Sequence, residues 1–131
     1  MSKECVFCKI RDGDPGREIF LRTDRFIVFR SVPAVNEGHT LIVPKRHVIT
    51  PFELTGREWA DLRCALSGAK TILDGRFRPA GYNIGINCGR TAGQTVFHLH
   101  VHLIPRYEGD VDDPRGGICN FKEWLEPYRP E

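Results

Sequence analysis

His98-Leu99-His100-Val101-His102-Leu103-Ile104 decides how the rest of the chain is read. Three histidines alternate with apolar residues, the period of a strand with one face buried. Side chains two apart on a strand share a face, which sets neighbouring imidazoles roughly 6–7 Å apart. Leu99, Val101 and Leu103 then turn the other way, toward a core. Packing alone gives no reason for a row of three titratable rings, so the strand is read as carrying chemistry. The remaining histidines of the chain are His39 and His47.

Working outward, residues 88–95 form a Gly-rich turn, and residues 82–87 alternate weakly as a strand before it. Strands joined by so short a loop are antiparallel neighbours. Further upstream, Thr55-Gly-Arg-Glu58 fits a capping box, and Trp59, Leu62, Leu66, Ala69 and Leu73 trace one stripe of an amphipathic helix. Asp74-Gly75 is the expected helix end, with glycine taking the left-handed cap. Residues 18–22, 25–30 and 39–43 read as three strands, the last stopped by Pro44, and Pro105 stops the histidine strand. Residues 11–16 are a turn cluster, and residues 121–125 suit a short helix. The resulting order, three strands, helix, two strands, is α+β: an antiparallel meander of about five strands on one main helix. With no internal repeat or linker, residues 1–131 are expected to form a single domain, less firmly patterned over 107–131.

The net charge of +2 gives no case for a nucleic-acid groove or a membrane-binding face, while leaving room for a local phosphate contact. No apolar run reaches membrane-spanning length and no signal-peptide pattern opens the chain, so a cytoplasmic protein is expected. Five cysteines without a secretory signal argue against a disulfide framework. Cys5-Val-Phe-Cys8 is a metal half-site or a redox pair, and Cys64, Cys88 and Cys119 have no partner spacing. The three strand histidines do not all meet one catalytic ion. Residues four apart are roughly 13–14 Å apart on a strand, whereas metal–nitrogen bonds are about 2 Å.

The histidine segment is similar to His-φ-His-φ-His-φ-φ, the signature of the histidine triad (HIT) superfamily of nucleotide hydrolases and transferases. Cys5-Val-Phe-Cys-Lys-Ile10, Gly38-His-Thr-Leu-Ile-Val-Pro-Lys-Arg-His47, Asn87 and Gly93-Gln-Thr95 also lie where family members carry like segments. Pro105-Arg-Tyr-Glu-Gly-Asp110 and Pro114-Arg-Gly-Gly117 resemble the diadenosine polyphosphate hydrolase-like branch. The resemblance implies a homodimer whose sheets join into one. Its substrates would be nucleotides: dinucleoside polyphosphates or nucleoside phosphoramidates.

By the same resemblance His100 attacks the α-phosphorus to give a nucleotidyl-histidine, with a backbone carbonyl holding the Nδ1 proton so that Nε2 is free. His102 donates to a phosphoryl oxygen, and His39 orders the site. Gln94 lies near the leaving oxygen, Thr95 and Asn87 contact phosphate or substrate, and Gly89 and Gly93 allow close backbone approach. Phe7, Ile10, Phe26 and Phe29 are candidates for an apolar base pocket and equally for core. Ser31 stands where relatives place Asp or Asn against the ribose, offering one hydroxyl instead of a bidentate acceptor. Some family members complete a structural zinc site with two histidines, which here gives Cys5, Cys8, His47 and His98. Two other readings stay open: a nucleotidyltransferase, against which the histidine at position 102 leans, and a nucleotide-binding adaptor with little turnover.

Overall fold

The computed structural model describes residues 5–119. Five strands, β1 (Ile19–Arg22), β2 (Phe26–Arg30), β3 (Thr40–Pro44), β4 (Gly81–Gly85) and β5 (Val101–Arg106), make one antiparallel sheet in the order β1-β2-β3-β5-β4. The expected meander holds for β1 to β3. The β4–β5 hairpin then folds back so that β5 sits between β3 and β4. His102 is opposite Leu41 on one side and Gly85 on the other, which puts it mid-sheet.

The sheet is covered on both faces, so β2 and β3 are apolar without alternation. On one side Phe26, Val28, Ile42, Leu99, Val101 and Leu103 pack against Leu62, Ala65, Ala69 and Leu73 of helix α2 (Gly56–Phe77). On the other, Ile27, Phe29, Leu41 and Val43 meet Phe7 and Ile10 of a short helix α1 (Val6–Arg11). The sequence pattern gave no sign of α1. The Cys5 sulfur caps it, accepting from the Cys8 amide at 3.4 Å. No described helix is long and apolar enough to cross a membrane.

Three boundaries differ from expectation, each for a physical reason. The histidine strand joins the ladder only at Val101, because the backbone before it bonds elsewhere: Leu99 N–H donates to the Val48 carbonyl at 2.7 Å. At its far end β5 runs through Pro105 to Arg106 and keeps strict alternation of burial. Helix α2 passes Asp74 and Gly75 and ends at Phe77, with Arg78 in the left-handed cap at φ 51°. Asp74 is held in the helix by Lys70 one turn earlier and by the Tyr82 hydroxyl reaching over from β4, and Pro79 then forbids continuation. The capping box at Thr55 and Glu58 is present.

Trp59 does not join the buried stripe and is 48% exposed. Its neighbour Glu58 takes the inward position instead, because Arg46 forks its carboxylate at 2.8 and 3.0 Å. The loop from Ser31 to His39 closes tightly on the sheet at Gly38 (φ 88°), where an added Cβ would lie 3.0 Å from Phe77 and 3.1 Å from Pro105. The expected helix over 121–125 lies outside the described residues.

Candidate active site and metal centre

His98, His100 and His102 do not form one even row. His98 is fully buried and its ring turns toward α1, whereas His100 and His102 stay partly open with ring centroids 5.1 Å apart. The late start of β5 causes this: the two residues ahead of the ladder follow the 47–49 segment instead of the pleat.

Hydrogen bonds fix the protons on these rings. The His98 carbonyl lies 2.9 Å from His100 Nδ1 and can only accept, so Nδ1 carries the proton and Nε2 keeps its lone pair. The Val35 amide donates to His39 Nδ1 at 3.1 Å, which places the His39 proton on Nε2. That Nε2 is 2.9 Å from His102 Nδ1, so His102 accepts there and carries its own proton on Nε2. Burial, and after it the proximity of His100 and His39, pushes His102 down to about 4. Burial likewise lowers His39. His102 is therefore a neutral Nε2–H donor near pH 7, next to a His100 whose Nε2 is left without a hydrogen-bond partner among the described residues.

A relay from Asn36 into the Pro105–Asp110 segment holds the Val35 amide in place. The Asn36 amide donates to the Pro105 carbonyl at 3.1 Å and to Asp110 at 2.8 Å. Asp110 is also forked by Arg106 at 2.7 and 2.8 Å, and the Tyr107 hydroxyl donates to the Glu37 carbonyl at 2.7 Å. Sequence reasoning passed over Asn36, and it took Asp110 only as the end of the Pro105–Asp110 segment in a solvated acidic loop, whereas the structure holds that carboxylate between Asn36 and Arg106.

The other expected site residues divide. An open cleft of about 430 Å³ brings His39, His102 and Asn87 together with Val35, Ile84 and Ile118. Gly93 (φ 95°) ends a 3-10 turn at Arg90–Ala92, and Gly93 and Thr95 are exposed. Gln94 is buried, and its amide is engaged with backbone: its oxygen accepts from Gly89 N–H at 2.8 Å, and its nitrogen donates to the Ile49 and Val96 carbonyls. It braces the Gly-rich loop against the segment before α2. Ser31 donates its hydroxyl to the Pro33 carbonyl at 3.1 Å. Phe7 and Phe29 are both buried, Phe7 with its ring centroid 5.0 Å from that of His100 in an edge-on arrangement. Phe26 lies on the α2 side of the sheet, apart from Phe7, Phe29 and Ile10.

Cys5, Cys8, His47 and His98 converge, their donor atoms all within 4.8 Å of one another. Three sulfur–nitrogen distances are 3.2, 3.3 and 3.5 Å. A tetrahedral ion with bonds near 2.3 Å to sulfur and 2.0 Å to nitrogen needs about 3.5 Å between such atoms. The His98 Nε2 proton is committed to the Pro44 carbonyl at 2.8 Å, which leaves Nδ1 as a lone pair aimed at the thiols. Burial, with the neighbouring Cys5, raises the Cys8 thiol. The four residues fit a divalent metal, and the donor set is the closed Cys₂His₂ kind.

Residues 15–109 match the HIT domain family, and the chain belongs to it. It is 34% identical to the protein hit of Bacillus subtilis over 99% of this chain and 87% of that one. It is 34% identical to the asymmetrical bis(5'-nucleosyl)-tetraphosphatase of Schizosaccharomyces pombe over 86% of this chain and 60% of that protein. A zinc-bound histidine triad family protein from Mycobacterium smegmatis has the same fold, with a TM-score of 0.76 at 32% identity, covering 84% of this chain and 80% of the other.

Proposed function

We propose that the protein hydrolyses nucleotides at the α-phosphorus through a covalent nucleotidyl-histidine on His100, with dinucleoside polyphosphates as the substrate class. The observation that carries the reading is the Nδ1 contact of His100 with the His98 carbonyl, which leaves Nε2 unprotonated and unshared. In the first step the Nε2 lone pair forms a P–N bond as the P–O bond to the leaving polyphosphate breaks. The imidazolium so formed keeps its Nδ1 proton on the His98 carbonyl. Water then forms a P–O bond as the P–N bond breaks, its proton leaving to solvent, and His100 returns neutral.

His102 serves as a donor and not as an acid. Giving up its Nε2 proton would leave an imidazolate whose Nδ1 already accepts from His39. A polyphosphate departs as an anion and needs no proton, whereas an amine does, which favours anhydride over phosphoramidate substrates. Charge gathering on the phosphoryl oxygens would meet the His102 Nε2–H, with Thr95, Asn87 and the Gly93 backbone around it. Gln94 holds that loop in place. The nucleoside would lie beside Ser31, against the Phe7–Phe29 side of the site.

Zinc is the metal that best suits two thiolates and two imidazoles. Held by Cys5, Cys8, His47 and His98, it would be structural, joining α1 to the catalytic strand. A homodimer joined through the β4 edge, where Ile84 is half exposed, completes the proposal.

The test is mass spectrometry after mixing with diadenosine tetraphosphate and quenching at neutral or basic pH, because a phosphohistidine bond is acid-labile. An adenylyl adduct on His100 is expected, and His100→Ala should abolish both adduct and turnover while the fold persists. Undiminished turnover in that variant would remove His100 as the nucleophile.

A further inference from the structure

A cationic site lies on the face of the sheet opposite the histidines. Arg30 ends β2 on the α2 side. Its guanidinium sits between two rings, 4.7 Å from the Phe77 centroid and 5.4 Å from that of Phe20. Its Nε is buried and has no hydrogen-bond partner among the described residues. Buried donors without partners are rare, because each forgoes its bonds to water.

Arg17 and Arg76 stand around the same cleft, a recess of about 270 Å³. Arg17 donates one guanidinium N–H to the Arg30 carbonyl at 3.3 Å and lies 5.7 Å from the Phe29 centroid, so it stands at the rim of the recess, at the edge of the sheet. No carboxylate of a described residue forms an ion pair with Arg17, Arg30 or Arg76. Glu18 also lines the recess without pairing, so three positive groups and one negative leave a net +2. Burial, and then the charge of Arg76, lowers Arg30 below the usual arginine value, with Tyr107, Glu18 and Glu37 opposing. Two like charges converge here, next to an orphaned donor. An anion would satisfy all three features at once.

We infer that the recess between Arg17, Arg30 and Arg76 binds a phosphate-type oxyanion, a phosphate or diphosphate group either free or carried on a nucleotide. A planar carboxylate is satisfied by one guanidinium fork. Guanidinium groups approaching from different elements, Arg30 from β2 and Arg76 from α2 with Arg17 at the rim, suit a tetrahedral anion with several acceptor oxygens. The site is independent of the triad, since Arg30 faces α2 whereas His102 lies opposite Leu41 on the other side. It stands whether or not His100 is a nucleophile.

The arginine side-chain Nε–H signals in a ¹H–¹⁵N spectrum test this directly, because the Arg30 Nε–H is itself the reporter. Titration with inorganic pyrophosphate should shift that signal along a saturating curve. Arg76→Gln and Arg17→Gln should each raise the midpoint about tenfold, the loss of one charge-assisted hydrogen bond. Exposed Arg57→Gln, on the first turn of α2, should leave it unchanged. Parallel titration with ADP separates the sources. An equal midpoint means that the diphosphate alone is read, and a tighter one extends the site to the attached nucleoside. A shift that stays linear, a midpoint indifferent to Arg76 and Arg17, or an equal loss in Arg57→Gln would reduce the effect to bulk electrostatics and overturn the inference.

Discussion

At the scale of single residues the site is a problem in proton placement. The chain supplies three rings near the substrate face, and backbone groups decide which nitrogen of each is free. The His100 tautomer follows from its own segment, since the His98 carbonyl is two residues away. That much was legible in the sequence as an expectation. The tautomer of His102 was not, because it depends on an amide at Val35 whose position is set by Asn36 and Asp110. Asn36→Ala should loosen that amide and let His39 sample its other tautomer. The expected result is a fall of about tenfold in kcat with little change in KM, the size of one misplaced transition-state donor. The ¹⁵N shifts of the His39 and His102 rings should show the mixed tautomer, and unchanged shifts would refute the relay. A second expectation concerns acid. Burial, and after it the proximity of His100 and His39, disfavours a charge on His102, so its neutral state persists down to about 4. Loss of kcat/KM below neutral pH should therefore come from other groups, with the His102 limb appearing only near that value.

At the scale of elements, capping and burial were the legible signals and electrostatic pairing was the hidden one. Thr55 and Glu58 announced the start of α2 by their spacing, and the structure has both reciprocal bonds. What spacing could not show is that Glu58 also accepts a fork from Arg46, which displaces Trp59 from the core stripe. The guanidinium beside Glu58 holds its carboxyl down at about 2. A depressed carboxyl stabilises the fold above its unfolded value and loses that stabilisation as pH falls from about 4.5 toward 2. Glu58→Gln should cost about 2 kcal/mol at pH 7, because the amide keeps the cap bond through Oε1 but loses the charge and one of the two oxygens that accept the Arg46 fork. Urea denaturation at pH 7 and pH 3 checks this, and the gap between variant and parent should narrow at pH 3. Helix α1 escaped notice for a different reason. Six residues with a sulfur cap carry too little periodicity to be read, and cluster packing holds the segment in place.

At the scale of the whole molecule, two covers of one sheet are secured differently. Helix α2 covers its face with a continuous apolar stripe, whereas α1 adds only Phe7 and Ile10 and relies on the thiol–imidazole cluster. Removing the metal, or replacing Cys8 by Ser, should therefore lower Tm by roughly 10 °C, a few kcal/mol in a chain of this size. Elemental analysis should find one zinc per chain in the parent and none in the variant. An undiminished Tm after chelation would show that α1 is held by packing alone. His98 gives this arrangement a further consequence. Its ring belongs to the cysteine cluster and to Pro44, and its carbonyl belongs to His100. One residue thus takes part in two equilibria, and thermodynamic reciprocity governs them. By whatever factor an ion in the cluster changes nucleotide affinity, bound nucleotide must change the affinity for the ion. With zinc in the cluster as proposed, its release to a competing chelator would become an optical gauge of nucleotide occupancy, read through the ring and carbonyl of one residue.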